Sequence, residues 1–135
     1  MRRALSTALS AATCALALAA QDPAAALTQC GEASWYDHAG RTTADGGTAD
    51  PRTMTAAHPS LPFGSKVEVE NLDNGKSVVV EIDDRGPFTD GRIIDLSRAA
   101  AEELAFKDDG VTQVRVTSVG AKLEPASASE AEICR

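Results

Sequence analysis

The sequence predicts a mainly β domain: six short strands closed into a small barrel, with one short helix. Two stretches carry this reading. Lys66 to Asn71 alternates Val67 and Val69 with Lys66, Glu68 and Glu70, and Val111 to Val119 alternates in the same way. A period of two is the signature of a half-buried strand. Glycine, proline and Asn/Asp turn signals break up the rest, and only one segment is free of them and rich in helix formers, which suits a small closed barrel. With 135 residues, 43% of them hydrophobic, there is material for one small core and not for a second.

Each element follows from local composition. Ala33 to Tyr36 reads as a small strand with an aromatic end. Asp37 to Pro51 is a loop of glycine, threonine and acids without apolar periodicity. Thr53 to Ala57 is a short strand, and Leu61-Pro62-Phe63-Gly64 a turn. After Lys66 to Asn71, Asp73-Asn74-Gly75 makes a hairpin turn into Lys76 to Ile82, whose Val78-Val79-Val80 run indicates a more buried strand. Ile93 to Leu96 is the fifth strand. A helix runs from Ser97 through Leu104, with Ser97 or Asp95 able to cap its free amides, and Val111 to Val119 closes the sheet.

The first 26 residues read as a cleaved export signal. Arg2-Arg3 precede an uncharged Ala/Leu-rich stretch from Ala4 to Ala20, with cleavage expected after Ala20 or Ala26. The stretch is too short and too weakly hydrophobic for a lasting anchor, so no stable membrane insertion is expected after cleavage. Thr13 before Cys14 fits a lipoprotein signal poorly, which argues against lipid anchoring through Cys14. The protein is thus expected to be exported, to the periplasm or beyond the cell. Losing Arg2 and Arg3 leaves 11 basic against 20 acidic residues. Without a basic run, nucleic acid is a poor partner. Cys30 and Cys134 then form an even pair, read as a disulfide closing a loop of about a hundred residues. The bland alternative is two unpaired thiols. Residues 121–135 read as a flexible tail ending in that cysteine.

The chemistry concentrates in Glu81 to Ser97, EIDDRGPFTDGRIIDLS, where a strand end carries Asp83 and Asp84 beside Arg85 and a Gly86-Pro87 turn. A carboxylate on rigid backbone next to a turn suits general acid–base work. DDRGPF, GRIIDLSRAAA and the upstream TAAHPSLPFGSKVEVENLDNGKSVVVEI resemble the rare lipoprotein A (RlpA) family of septal ring lytic transglycosylases. The resemblance covers Gly31 to Val119 and implies a six-stranded double-psi β-barrel over residues 30–120.

That family cleaves the β-1,4 bond between N-acetylmuramic acid and N-acetylglucosamine in peptidoglycan without water, leaving a 1,6-anhydro end. By this resemblance Asp84 is the acid/base and His58, in TAAH, supports it. Asp95, in IDLS, corresponds to an acid that related barrels such as expansins keep on the sugar-facing groove, though a helix cap competes. Arg85 is expected to pair with Asp83 or Asp95, or to contact a substrate carboxylate. Of Trp35 and Tyr36, one stacks on a sugar and the other enters the core; Tyr36 is counted with the substrate-binding residues. Strand alternation puts Asp83 opposite Asp84, solvated. His38 reads as exposed and incidental. No metal-ligand spacing is present, and neither metal nor other cofactor is expected. The expected partner is peptidoglycan glycan strands, bound by a monomer.

The chain departs from the family pattern where Thr43-Ala44-Asp45-Gly46 is followed by Gly47 instead of glutamate, with Ala49 in place of an aromatic residue. Asp45 and Asp50 are the candidate substitutes. The sequence also has no room for the C-terminal SPOR domain common in the family, so septal recruitment is not expected of it. The departure keeps two other readings in play: an expansin-like glycan-binding module that does not cut, and a partner or inhibitor protein using the barrel as scaffold. The latter would show a large exposed apolar patch.

Overall fold

A computed structural model describes residues 27–119 and Cys134. The signal segment with its two cleavage positions and Cys14, and residues 120–133 of the tail, lie outside them. Six strands form a closed barrel: β1 (Thr28–Tyr36), β2 (Thr55–Ala57), β3 (Lys66–Asn71), β4 (Ser77–Asp84), β5 (Arg92–Ser97) and β6 (Val111–Ser118), with helix α1 (Arg98–Glu103) between β5 and β6. Around the barrel the order is β1, β5, β2, β4, β3, β6. Two of the pairs, β1–β5 and β2–β4, are parallel, so each joins segments far apart in sequence.

The alternation of β3 buries Val67, Val69 and Asn71, as its pattern predicts, and β6 likewise buries Thr112, Val114 and Val116. With Ala33, Ala56, Val80, Ile82, Ile94 and Leu96 these valines form one core, onto which α1 packs Ala100, Ala101 and the following Leu104 and Phe106. Ser97 is the helix cap: its Oγ accepts from Ala100 N and donates to Thr53 O at 2.6 Å. The choice left open between Ser97 and Asp95 falls to Ser97 because Asp95 is engaged elsewhere.

Among the described residues the only fully buried amide side chain, Asn71, is satisfied at both ends. Its Nδ2 donates to Leu104 O at 2.9 Å, and its Oδ1 accepts from Thr112 Oγ1 and Asp73 N. The β3–β4 turn is thereby tied to the helix end. Gly75, at φ 75°, takes the left-handed position of that turn.

Several boundaries move from the sequence reading, most by one or two residues, and two of the differences shape the site and its support. β1 begins five residues before Ala33, because Thr28 to Ser34 pairs antiparallel with β6; cross-strand bonding supplies what a half-buried polar segment cannot announce by pattern. β4 continues two residues beyond Ile82 to Asp84, which places both aspartates on strand backbone. The expected disulfide joins Cys30 to Cys134, with Cα atoms 5.3 Å apart at a sequence separation of 104. It fastens the chain end to β1.

Candidate active site

The ends of β1, β2, β4 and β5 converge on an open cleft of about 250 Å³ lined by Tyr36, His38, Arg41, Thr42, Ala57, Asp84, Arg85 and Asp95. The parallel pairings bring these residues together: Tyr36 is in register with Ser97, Ser34 with Asp95, and Ala57 with both Asp84 and Asp95. Asp84, Asp95, Arg85 and Tyr36 therefore share one site, as their sequence assignments require.

Asp84 is fixed by backbone. Its Oδ1 accepts from Ala44 N at 3.0 Å and from Arg85 N at 2.9 Å. Its carbonyl accepts from His58 N at 3.1 Å. Asp95 is held by the Ser34 hydroxyl and the Arg92 guanidinium, which also contacts Ser34. Tyr36 faces the cleft and stacks on His38 with centroids 5.7 Å apart, while Trp35 packs against the core and donates Nε1–H to Lys107 O. Burial, reinforced by the charges of Asp83, Asp84 and Asp95, pushes the Tyr36 hydroxyl up to about 12. It stays protonated, a neutral hydrogen-bonding group at the cleft wall.

His58 lies behind this wall. It is buried, its Nδ1 accepts from Ser60 N and Leu61 N, and its Nε2 meets Gln29 Oε1 at 3.0 Å. An Nδ1 that accepts two N–H groups carries no proton, so Nε2–H donates to Gln29. Burial and the Arg85 charge hold its pKa below the usual histidine value. The ring is thus a neutral brace for the turn carrying Ser60 and Leu61, and it reaches the carboxyl only through backbone.

Three sequence expectations are corrected. Arg85 pairs with neither Asp83 nor Asp95: its Nη1 donates to Leu61 O at 2.7 Å and His58 O at 3.3 Å, and its plane sits 3.9 Å over the Phe63 ring. Carbonyls exposed by the Leu61-Pro62 turn outcompete the carboxylates. His38 is exposed but not incidental, since it stacks on Tyr36 in the cleft. Asp83 is not a solvated residue on the far face. In the β2–β4 register Ala56 meets Ile82 and Ala57 meets Asp84, so Asp83 is the extra residue of a bulge. A bulge interrupts the pleat, and the alternation rule fails there. Asp83 is half-buried, and its Oδ1 is buried with no hydrogen-bond partner. Burial first, then the charges of Asp45 and Asp84, push it up to about 6.

The loop expected over residues 37–51 is a compact hairpin. Thr42 bridges Thr48, Gly40 N and Ala49 N bond across it, and Asp45 N donates to Asp83 O. Arg41 and Thr42 enter the cleft from this loop, and composition gave no sign of it. Beside Gly47, the Asp45 carboxylate accepts from Gly47 N and from the Thr43 hydroxyl. A Cβ at Gly47 would stand 3.1 Å from Asp45 Oδ1, so Asp45 is the loop acid at this position. The hydrogen bonds from Thr43 and Gly47 hold it below the usual aspartate value. Asp50 instead pairs with Arg52 in solvent. Phe88, which the sequence reading passed over, projects 83% exposed from the Gly86-Pro87 turn. Among the described residues, no group of three His, Cys, Asp or Glu stands together as a metal site.

The sequence profile of the lytic transglycolase family matches residues 28–116. The chain is 50% identical over 98 residues to the endolytic peptidoglycan transglycosylase RlpA of Pseudomonas aeruginosa, covering 71% of this chain and 29% of that protein. It is 52% identical over 91 residues to the protein of the same name from Vibrio cholerae, covering 66% and 35%. Among solved structures, the Streptomyces papain inhibitor superposes with TM-score 0.57 at 28% identity, over 68% of this chain and 93% of that one. The apo expansin of Clavibacter michiganensis gives TM-score 0.57 at 24% identity, over 73% and 54%, and attests the fold alone. The chain spans between about a quarter and two fifths of the length of the curated relatives it matches. The chain belongs to the lytic transglycolase family and carries an RlpA-type double-psi β-barrel.

Proposed function

We propose that this protein is an endolytic peptidoglycan lytic transglycosylase with Asp84 as its acid/base. The observation that carries the reading is the placement of Asp84. Two backbone N–H groups pin one carboxyl oxygen, and the residue lines a cleft shared with Asp95 and Tyr36. The relatives named for this activity align across that region. In the reaction, the C6 hydroxyl oxygen of the muramyl residue bonds to its own C1 as the C1–O bond to the next sugar breaks. The departing oxygen takes a proton from the carboxyl, and the C6 hydroxyl proton returns to it. No water is consumed, so the cleft needs no second carboxylate placed to activate one.

In this reading Asp95 and Tyr36 bind the sugar, and the Tyr36–His38 stack offers a flat face to it. Arg85, committed to Leu61 and His58, shapes the turn that presents Asp84. His58 acts as a positioning residue. Asp45 is the acid that this chain offers where relatives carry glutamate. The protein works outside the cytoplasm on glycan strands, as a monomer.

The test is digestion of peptidoglycan, with and without stem peptides, by the mature protein and by Asp84→Asn, with products read by mass spectrometry. Anhydro-muramyl ends made by the native protein and absent with the variant are the expected result. Glycan binding without such ends overturns it in favour of a non-catalytic, expansin-like binding module.

A further inference from the structure

Resting on that reading, we propose that Phe88 is a specificity-determining residue, its exposed ring a platform for a sugar of the glycan strand outside the pair being cut. Of the aromatic side chains, Trp35 packs against the core, Phe106 is buried, Tyr36 stacks on His38 and Phe63 lies under Arg85. Phe88 is left uncovered, at 83% exposure, while no other large apolar side chain among the described residues passes 46%. A ring held in water forgoes the stabilisation that burial would give it.

The strand register places Phe88 at the cleft end of the barrel. Strand β2 runs parallel to β4 and antiparallel to β5, with Ala57 in register with both Asp84 and Asp95. The connection from Arg85 to Gly91 therefore crosses the end of the barrel that holds the two acids. Both its ends belong to the site: Arg85 lines the cleft, and Arg92, the residue that follows the connection, holds Asp95. Phe88 is the midpoint of this crossing. Buried backbone carries it, since Gly86 and Pro87 are both enclosed. The ring leans back over Gly86, with Cε2 3.9 Å from the point where a Cβ on that glycine would stand. It thus stands over the segment that joins it to Arg85 and Asp84.

The surroundings select a sugar as the occupant. Thr89 and Asp90, which follow Phe88, are exposed and polar, so the apolar surface is one ring wide. A protein partner needs a contiguous interface, on the order of 800 Å² a side, with several apolar side chains at its centre. A pyranose needs one ring: its C–H face lies flat on the aromatic while its hydroxyls turn to polar neighbours and water. An endolytic cut leaves strand on both sides of the broken bond, and the Tyr36–His38 stack serves the sugars inside the cleft. Strand emerging over the β4–β5 connection meets Phe88. This contact touches no reacting atom and is the same before and during the reaction, so it strengthens binding without speeding the chemical step.

The experiment measures binding of soluble glycan strands, freed of stem peptides, to Asp84→Asn alone and combined with Phe88→Ala, Phe88→Leu or Phe88→Trp, so that no strand is consumed. The expected result is a loss of about tenfold with Ala and with Leu, and affinity within about twofold of the parent with Trp. With Asp84 intact, Ala and Leu should raise KM about tenfold and leave kcat unchanged. Melting temperatures should stay at the native value, because the ring supports nothing beneath it. Unchanged binding with Ala overturns the proposal, as do retained binding with Leu, which would mark plain apolarity, and lost binding with Trp. A loss of kcat at constant KM, or a binding loss that tracks melting temperature, would assign Phe88 to shaping the turn after Asp84 and overturns it too. If the native protein makes no anhydro ends, the transglycosylase reading falls, and the binding series decides the platform by itself.

Discussion

Replacing Arg85 by Lys separates a stacked arginine, whose single Nη1 serves two carbonyls, from a simple ion-pairing charge. The Arg85 guanidinium makes a short bond to Leu61 O and a longer one to His58 O while lying 3.9 Å over Phe63. A lysine ammonium on its differently shaped stem can keep one of these carbonyls but has no planar face to lay on Phe63. Losing the weaker charged bond costs about 1 kcal/mol at this half-exposed site, and losing the stack costs roughly 0.5–1 kcal/mol. The sum is about 2 kcal/mol. For a domain of this size that lowers Tm by roughly 10 °C, measured by calorimetry or circular dichroism on the purified protein. Arg85→Ala should lose more, about 3 kcal/mol, since both carbonyls then lack their charged donor. The reasoning is refuted if Lys is as stable as Arg and the native Tm drops with added salt. That pattern belongs to an exposed ion pair, where any cation serves and screening weakens it.

Asp83→Asn should stabilise the protein at pH 7 and leave it unchanged near pH 4. The folded carboxyl is raised above its unfolded value of 3.8 to about 6, so its contribution is present below the unfolded value and is lost as pH rises through 6. Two units amount to about 3 kcal/mol, reduced by solvent screening of this half-buried group to about 1–2 kcal/mol, readable as a Tm gain at pH 7 alone. Ser97→Ala removes the α1 cap and strands the Thr53 carbonyl; denaturant unfolding should show a loss of about 2 kcal/mol. Cys30→Ser with Cys134→Ser releases a loop of 104 residues, and should lower the unfolding free energy by about 4 kcal/mol without changing the far-ultraviolet spectrum of the folded form.

Much of the barrel was legible in the sequence because its evidence is local. Lys66–Asn71 is recovered without error, since apolar alternation and half-burial are one fact seen twice. The helix follows from composition, though its cap stayed open between Ser97 and Asp95, and the cysteine count anticipated the Cys30–Cys134 bond. The cleft residues Asp84, Arg85, Asp95 and Tyr36 are together as the motifs implied. What escaped the sequence reading depends on register. The bulge at Asp83 exists only in the pairing of β4 with β2, and nothing in EIDDRG marks it. The same holds for Arg85, whose carbonyl partners arise from a turn more than twenty residues upstream, and for Arg41 and Thr42, which reach the cleft because their loop docks on the β4 aspartates. His58 illustrates a third kind of limit: a motif gives its position, but the choice between ring and backbone as the contacting part is made by packing.

The two parallel pairings have a consequence for when this protein can act. Tyr36 and Asp95 meet only because β1 lies beside β5, and Ala57 meets Asp84 only because β2 lies beside β4. No hairpin or contiguous fragment holds the cleft, and its parts span about sixty residues of chain. Contacts of such range form late in folding, after the loop-closure entropy has been met. Until the barrel closes, an unfinished chain carries every cleft side chain but no assembled cleft.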